Sequence, residues 1–155
     1  MTQNDFEVMV PIRLVVVEDQ VLIRTALLAL VARRKDIEVV GEAGTGREAM
    51  ALIQERSPDV VLMDISMPDL NGIEATAKLA VTNPEVKVII LSSHEDESVV
   101  RRALKASARG YVVKGASGAE LDAAINAVMR GEVYFSPVVA SYLATTGLKY
   151  TSPRI

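Results

Sequence analysis

Apolar runs and helix-period stretches alternate along this chain from Ile12 to about Met129. Five runs are nearly continuous in Val, Ile and Leu: Ile12–Val17, Ile37–Ala43, Val60–Met63, Val86–Leu91 and Gly110–Val113. Such runs mark strands whose two faces are both covered by helices, because a sheet with one wet face would alternate apolar and polar residues. The segments between them carry helix signals. Thr45-Gly46-Arg47-Glu48 and Ser117-Gly118-Ala119-Glu120 read as capping boxes that open helices over Gly46–Arg56 and Gly118–Met129. Ile23, Leu27, Leu30 and Val31 form the apolar stripe of the first helix, and Leu121, Ala124, Ile125, Val128 and Met129 that of the last. Pro58 and Pro84 fall in connections just before strands, where a helix has to stop. The pattern predicts a doubly wound α/β fold, a five-stranded parallel sheet with helices on both faces. After Met129 it changes: Arg130–Pro137 is a turn-rich exit, Val138–Thr145 predicts one short helix, and Thr146–Ile155 a frayed tail.

In an open sheet of this kind, ligands sit outside the carboxyl ends of the strands, where the strand order reverses. Glu18, Asp19, Asp64, Ser92 and Lys114 each fall at or just past such an end. A carboxylate ending a buried strand costs several kcal/mol unless it is paired or bound to metal. Three acids at one sheet edge repel one another by ~4 kcal/mol per pair at ~4 Å and an effective dielectric of ~20, so the cluster needs a cation. Hard oxygen ligands without His or Cys favour Mg²⁺. A carboxylate beside Mg²⁺ and an ammonium is set up to attack a phosphoryl group, with a hydroxyl at Ser92 to bond its oxygens.

Composition narrows the classes further. The chain has 155 residues, half of them hydrophobic, which suits one domain with a full core. With no cysteine and a single histidine, disulfides and thiolate or His-rich metal sites are excluded. Net charge is −3 and aromatics make up 4%, so neither a basic field nor a stacking platform for nucleic acid is present. No apolar stretch is long enough to span a membrane, and the first eleven residues are too acidic for a signal peptide, which fits a cytoplasmic address.

The stretches Val15-Val16-Val17-Glu18-Asp19, Val61-Leu62-Met63-Asp64-Ile65-Ser66-Met67-Pro68-Asp69-Leu70-Asn71-Gly72, Ile89-Ile90-Leu91-Ser92-Ser93 and Gly110-Tyr111-Val112-Val113-Lys114, in this order and spacing, resemble a response-regulator receiver domain of two-component signalling. The resemblance implies a flavodoxin-like, CheY-like fold over residues 12–130, after an N-terminal extension of residues 1–11. It implies that Asp64 accepts a phosphoryl group from a sensor histidine kinase. Mg²⁺ would be bound by Asp19, Asp64 and the backbone carbonyl of Ser66, with Glu18 acting through water. Lys114 would pair with the phosphoryl group, Ser92 would be the switch hydroxyl, and Tyr111 the aromatic that follows it inward. Gly72 would permit the turn into the third helix. Ser66 and His94 occupy the two variable positions that tune phosphoryl lifetime in the family. Gly115 departs from the family's frequent proline after the lysine. Such a domain is no enzyme in the usual sense, contributing only to its own phosphorylation and dephosphorylation.

Residues 131–155, with Glu132-Val133-Tyr134-Phe135-Ser136-Pro137, resemble the linker after the receiver in NarL/FixJ (LuxR-type) transcription regulators. In those a helix-turn-helix domain follows, which this chain lacks, so DNA binding would need the longer protein; a homodimer on phosphorylation is also implied. A different reading is an interaction module of the same fold that works without phosphorylation. Gly44-Thr45-Gly46-Arg47-Glu48-Ala49 matches the dinucleotide fingerprint, but in the second β–α unit rather than the first. A haloacid-dehalogenase-type phosphatase would need an acid where Ser66 stands.

Overall fold

The computed structural model describes residues 10–65, 67, 71–93 and 97–146. Strands β1 (Ile12–Val17), β2 (Ile37–Ala43), β3 (Val60–Asp64), β4 (Lys87–Ser92), β5 (Gly110–Val113) and β6 (Tyr134–Phe135) alternate with helices α1 (Val21–Ala32), α2 (Gly46–Arg56), α3 (Gly72–Thr82), α4 (Glu97–Lys105), α5 (Gly118–Met129) and α6 (Pro137–Thr146). All strand pairs are parallel, in the order β2-β1-β3-β4-β5-β6. The chain winds outward from β1 first to one side and then to the other. The gap between the β1 and β3 loops is therefore the reversal point at which a ligand cleft opens.

Alternation along each strand sorts its side chains into two cores. Val15, Val17, Val61, Met63, Ile90 and Tyr111 face α2, α3 and α4. Leu14, Val16, Leu62, Ile89, Leu91 and Val112 face α1 and α5. Leu14, Val15, Val16, Val60, Val61, Leu62 and Met63 are fully shielded from solvent, which explains why β1 and β3 read as unbroken apolar runs. Each such side chain contributes roughly 1.5–3 kcal/mol of burial.

The predicted caps form. Thr45 and Ser117 side chains accept the backbone N–H of Glu48 and Glu120, opening α2 and α5. Asn71 does the same for α3 through the N–H of Glu74, a cap that the sequence pattern had not singled out. Small shifts separate expectation from structure: β3 runs one residue further, to Asp64, and β4 occupies Lys87–Ser92.

The larger difference lies in the exit, which forms a sixth strand. Gly131, at φ 81°, reverses the chain after α5. The N–H groups of Gly131 and Glu132 bond the carbonyls of Val128 and Ala127 at 3.0 Å each, the paired bonds of a Schellman ending. The chain then lies along β5, with Tyr134 N–H on the Arg109 carbonyl and Ser136 N–H on the Tyr111 carbonyl, both at 2.9 Å. Helix α6 follows and buries Val139 completely in the core that contains Tyr111.

Candidate functional site

Three loops meet at the carboxyl end of the central strands. β1 hands over to Glu18 and Asp19, β3 ends on Asp64, and β5 is followed by Lys114. Glu18 is fully buried and Asp64 is 2% exposed, while Asp19 is the open member of the group. One oxygen from each carboxylate lies within 4.8 Å of the other two. The Lys114 ammonium reaches Glu18 Oε1 at 2.7 Å and Asp64 Oδ1 at 3.1 Å. A cleft of about 220 Å³ opens over Asp19, Gln20, Asp64, Ile65, Ser92, Ser93 and Lys114. That is room for a hydrated cation together with a small anionic group. Ser92 ends β4, fully buried, and its carbonyl accepts the Lys114 N–H at 2.7 Å. Tyr111 stands fully buried on β5, three residues before Lys114.

Burial pushes the Glu18 carboxyl above its ordinary range; the ammonium of Lys114 and the Gln20 N–H on Oε2 only partly oppose this, and Asp19 and Asp64 add to it. Burial also works against the charge of Lys114, yet its bonds to Glu18 and Asp64 outweigh that and lift it above its ordinary value. One ammonium thus faces three acids, and the cluster is one positive charge or more short of balance. A divalent ion fits that deficit. The donors are hard carboxylate oxygens within reach of one another, and the site opens to solvent on the Asp19 side, so an octahedral cation keeping several waters is accommodated.

A family model, the response regulator receiver domain, matches residues 14–126. The chain belongs to that family. Among curated relatives, this receiver is 41% identical to the response regulator GacA of Pseudomonas viridiflava over 144 residues, covering 93% of this chain and 66% of GacA. It is 39% identical to the transcriptional regulatory protein DegU of Brevibacillus brevis over 132 residues, covering 85% of this chain and 56% of DegU. The chain therefore spans about two thirds or less of the length of these relatives. Among solved structures, a LuxR-family two-component response regulator from an Aurantimonas species superposes with a TM-score of 0.83 at 33% identity, covering 90% of this chain and 99% of that one. The signal receiver domain of a NarL response regulator from Mycobacterium tuberculosis gives a TM-score of 0.76 at 30% identity, covering 79% of this chain and 98% of that one. The fold is thus the doubly wound sheet that the strand pattern predicted and the flavodoxin-like one that the resemblance implied, with β6 added at the edge.

Within the receiver, Glu18, Asp19, Asp64, Ser92 and Lys114 come together around one cleft, and Tyr111 lies on the strand that carries Lys114. Ser66 and His94 lie outside the described residues. Gly72 has no left-handed φ. Its service is space: a Cβ there would run into the Asp64 carbonyl oxygen and lie 2.8 Å from the Asp64 carbonyl carbon. The dinucleotide reading of Gly44–Ala49 fails on local chemistry, since the Glu48 carboxylate accepts the Gly44 N–H at 3.0 Å, where a pyrophosphate would have to bind. Two residues escaped the sequence reading. Ser136, 3% exposed, accepts the Val113 N–H at 3.2 Å and reaches Glu120 Oε1 at 3.0 Å. Arg24 on α1 donates to the Glu18 carbonyl at 2.6 Å. An arginine breaking the apolar face next to Ile23 was the available signal for the second. Among the described residues, no helix is long and apolar enough to cross a membrane.

Proposed function

We propose that this receiver takes a phosphoryl group from a sensor histidine kinase onto Asp64, with Mg²⁺ as the required ion. The observation that carries the reading is the placement of Asp64, 2% exposed, within 3.1 Å of the Lys114 ammonium and inside the three-acid cluster. In the transfer, an Asp64 carboxylate oxygen attacks phosphorus, the bond from phosphorus to the kinase's imidazole nitrogen breaks, and the electron pair stays on that nitrogen. An acyl phosphate results. Asp19 and Asp64 would hold the ion, with the Ser66 carbonyl as third protein ligand and Glu18 bonded through water. The bound ion supplies charge neutralisation at the phosphoryl oxygens. Lys114 contributes the second positive charge, leaving its share of Asp64 for a phosphoryl oxygen. Ser92, at the cleft floor, donates to another phosphoryl oxygen, and Tyr111 repacks as Ser92 moves.

The outcome is a shift between two surface states on the side of α4, β5 and α5. The receiver contributes to its own phosphorylation and to the hydrolysis of its acyl phosphate. It acts in the cytoplasm within residues 12–130, with residues 131–155 as the connection to a helix-turn-helix domain in a longer protein, which would bind DNA as a phosphorylation-dependent homodimer. The intact set Glu18, Asp19, Asp64 and Lys114 speaks against a phosphorylation-independent module, for which none of these charges would be needed.

The test is intact mass after incubation with a small phosphodonor and Mg²⁺. One added phosphoryl on the wild type, absent with chelator and absent in Asp64→Asn, is expected. An adduct that persists in Asp64→Asn, or none on the wild type, would overturn the reading.

A further inference from the structure

Arg24 and Gly44 have no part in the transfer just described, yet they meet directly behind the acidic cluster. Arg24 lies on α1 with its side chain 18% exposed. Its Nη1 donates to the Glu18 backbone carbonyl at 2.6 Å, and its Nε faces Glu42 Oε1 near the end of β2 at 3.3 Å. Gly44 has no left-handed φ, so no backbone conformation demands glycine there. A Cβ at Gly44 would instead lie 3.0 Å from Arg24 Nη1, tighter than ordinary packing. The glycine that mimicked a nucleotide fingerprint is the space in which this guanidinium rests.

We propose that Arg24 is a positioning residue for the divalent-cation site: it fixes the Glu18–Asp19 peptide so that both acids face Asp64. This rests on the metal-dependent reading of the cleft. The Glu18 carbonyl and the Asp19 N–H belong to one planar unit, so holding the oxygen sets the direction in which Asp19 leaves the strand. The other restraints act elsewhere in the loop. Glu18 N–H is held by the Ala43 carbonyl at 2.9 Å, and Gln20 N–H by Glu18 Oε2 at 3.1 Å. Among the described residues, the guanidinium is the side chain seen to hold the Glu18 oxygen itself, through a charge-assisted bond. The Glu42 contact is the weaker half, because Glu42 is 53% exposed and such pairs contribute little. Glu42 steers the guanidinium; the carbonyl bond carries the effect. The guanidinium holds the backbone of the cluster and is not seen paired with the carboxylates of Glu18, Asp19 or Asp64, which stay available to a cation.

The experiment is calorimetric titration of the full chain with Mg²⁺, alongside thermal unfolding in chelator, for wild type, Arg24→Met, Arg24→Lys, Gly44→Ala and Asp64→Asn. Arg24→Met should weaken Mg²⁺ binding about tenfold, the loss of one charge-assisted bond. Arg24→Lys should recover part of that loss, and Gly44→Ala, which displaces the guanidinium by a few tenths of an ångström, should weaken binding about threefold. Gly44→Ala keeps the proposal testable where Arg24→Met does not fold. Arg24→Met, or Gly44→Ala in its place, binding Mg²⁺ as the wild type does would overturn the role of Arg24 alone. Wild type that binds no Mg²⁺, or binds it no better than Asp64→Asn, would overturn the cation site and this role with it.

Discussion

Replacing Gly72 by alanine separates two roles that a glycine at a helix start can play. With no left-handed φ to protect, Gly72→Ala would stabilise the protein if space were not at issue, since alanine is better than glycine inside a helix by up to ~1 kcal/mol. The structure predicts the opposite. The new Cβ would overlap the Asp64 carbonyl oxygen and lie 2.8 Å from both the Asp64 carbonyl carbon and the Ile65 Cα. Carbon atoms rest about 3.5–4.0 Å apart, so α3 and the end of β3 must separate by roughly 0.7 Å or more. Both sides of the contact are backbone, and no side chain can rotate to relieve it. Overpacking of this kind costs about 1–3 kcal/mol, and the helix gain offsets only part of it. A net loss of about 1–2 kcal/mol is expected, read as a fall in the urea midpoint at unchanged slope. Because the displaced group is the peptide of Asp64, Mg²⁺ affinity should fall in the same variant. A Gly72→Ala protein as stable as wild type, with unchanged Mg²⁺ binding, would refute the close-approach argument.

Two further predictions concern buried polar groups. Glu18 has its carboxyl raised above the ordinary 4.5 by burial, so in chelator the folded state holds that proton more tightly than the unfolded chain. The wild type should therefore lose stability relative to Glu18→Gln as pH rises from about 4.5 through the folded value, with the difference constant below 4.5. Thermal midpoints of both proteins across pH 4–8 in chelator check this, and a difference that does not change with pH would refute it. Ser136→Ala removes the acceptor of the Val113 N–H and the partner of Glu120 inside the protein, at an expected cost of about 1–3 kcal/mol. Urea unfolding reads the loss, and an unchanged midpoint would show that water or another group takes over.

The site was legible where charge interrupted an apolar run. Asp64 after Val60–Met63 and Lys114 after Tyr111–Val113 stand out because a buried strand has no other reason to end on an ion, and the β–α alternation brought those ends together. Arg24 was not legible. A helix arginine is ordinarily solvated, and its acceptor is a backbone carbonyl whose position follows only from how β1 meets α1. Gly72 was visible as a glycine but for the wrong reason, since the Asp64 carbonyl that crowds it comes near only in the folded chain. The two-residue β6 was hidden as well: Tyr134-Phe135 is too short to show a period, and what sets it against β5 is the Schellman reversal at Gly131.

That short strand has a consequence for self-association. Without it β5 would be the rim of the sheet, and Gly110–Val113 would offer open amide and carbonyl groups to any strand that passed. Rims of this kind recruit other chains and seed aggregates. Tyr134, Phe135 and Ser136 occupy the first part of that rim, and the Ser136 hydroxyl covers the Val113 N–H that two residues of strand are too short to reach. The segment after α5 thus acts as a guard against sticking. Cutting the protein between Arg130 and Tyr134 would open that rim and uncover the core around Tyr111 that Val139 closes, making the fragment prone to pair edge to edge.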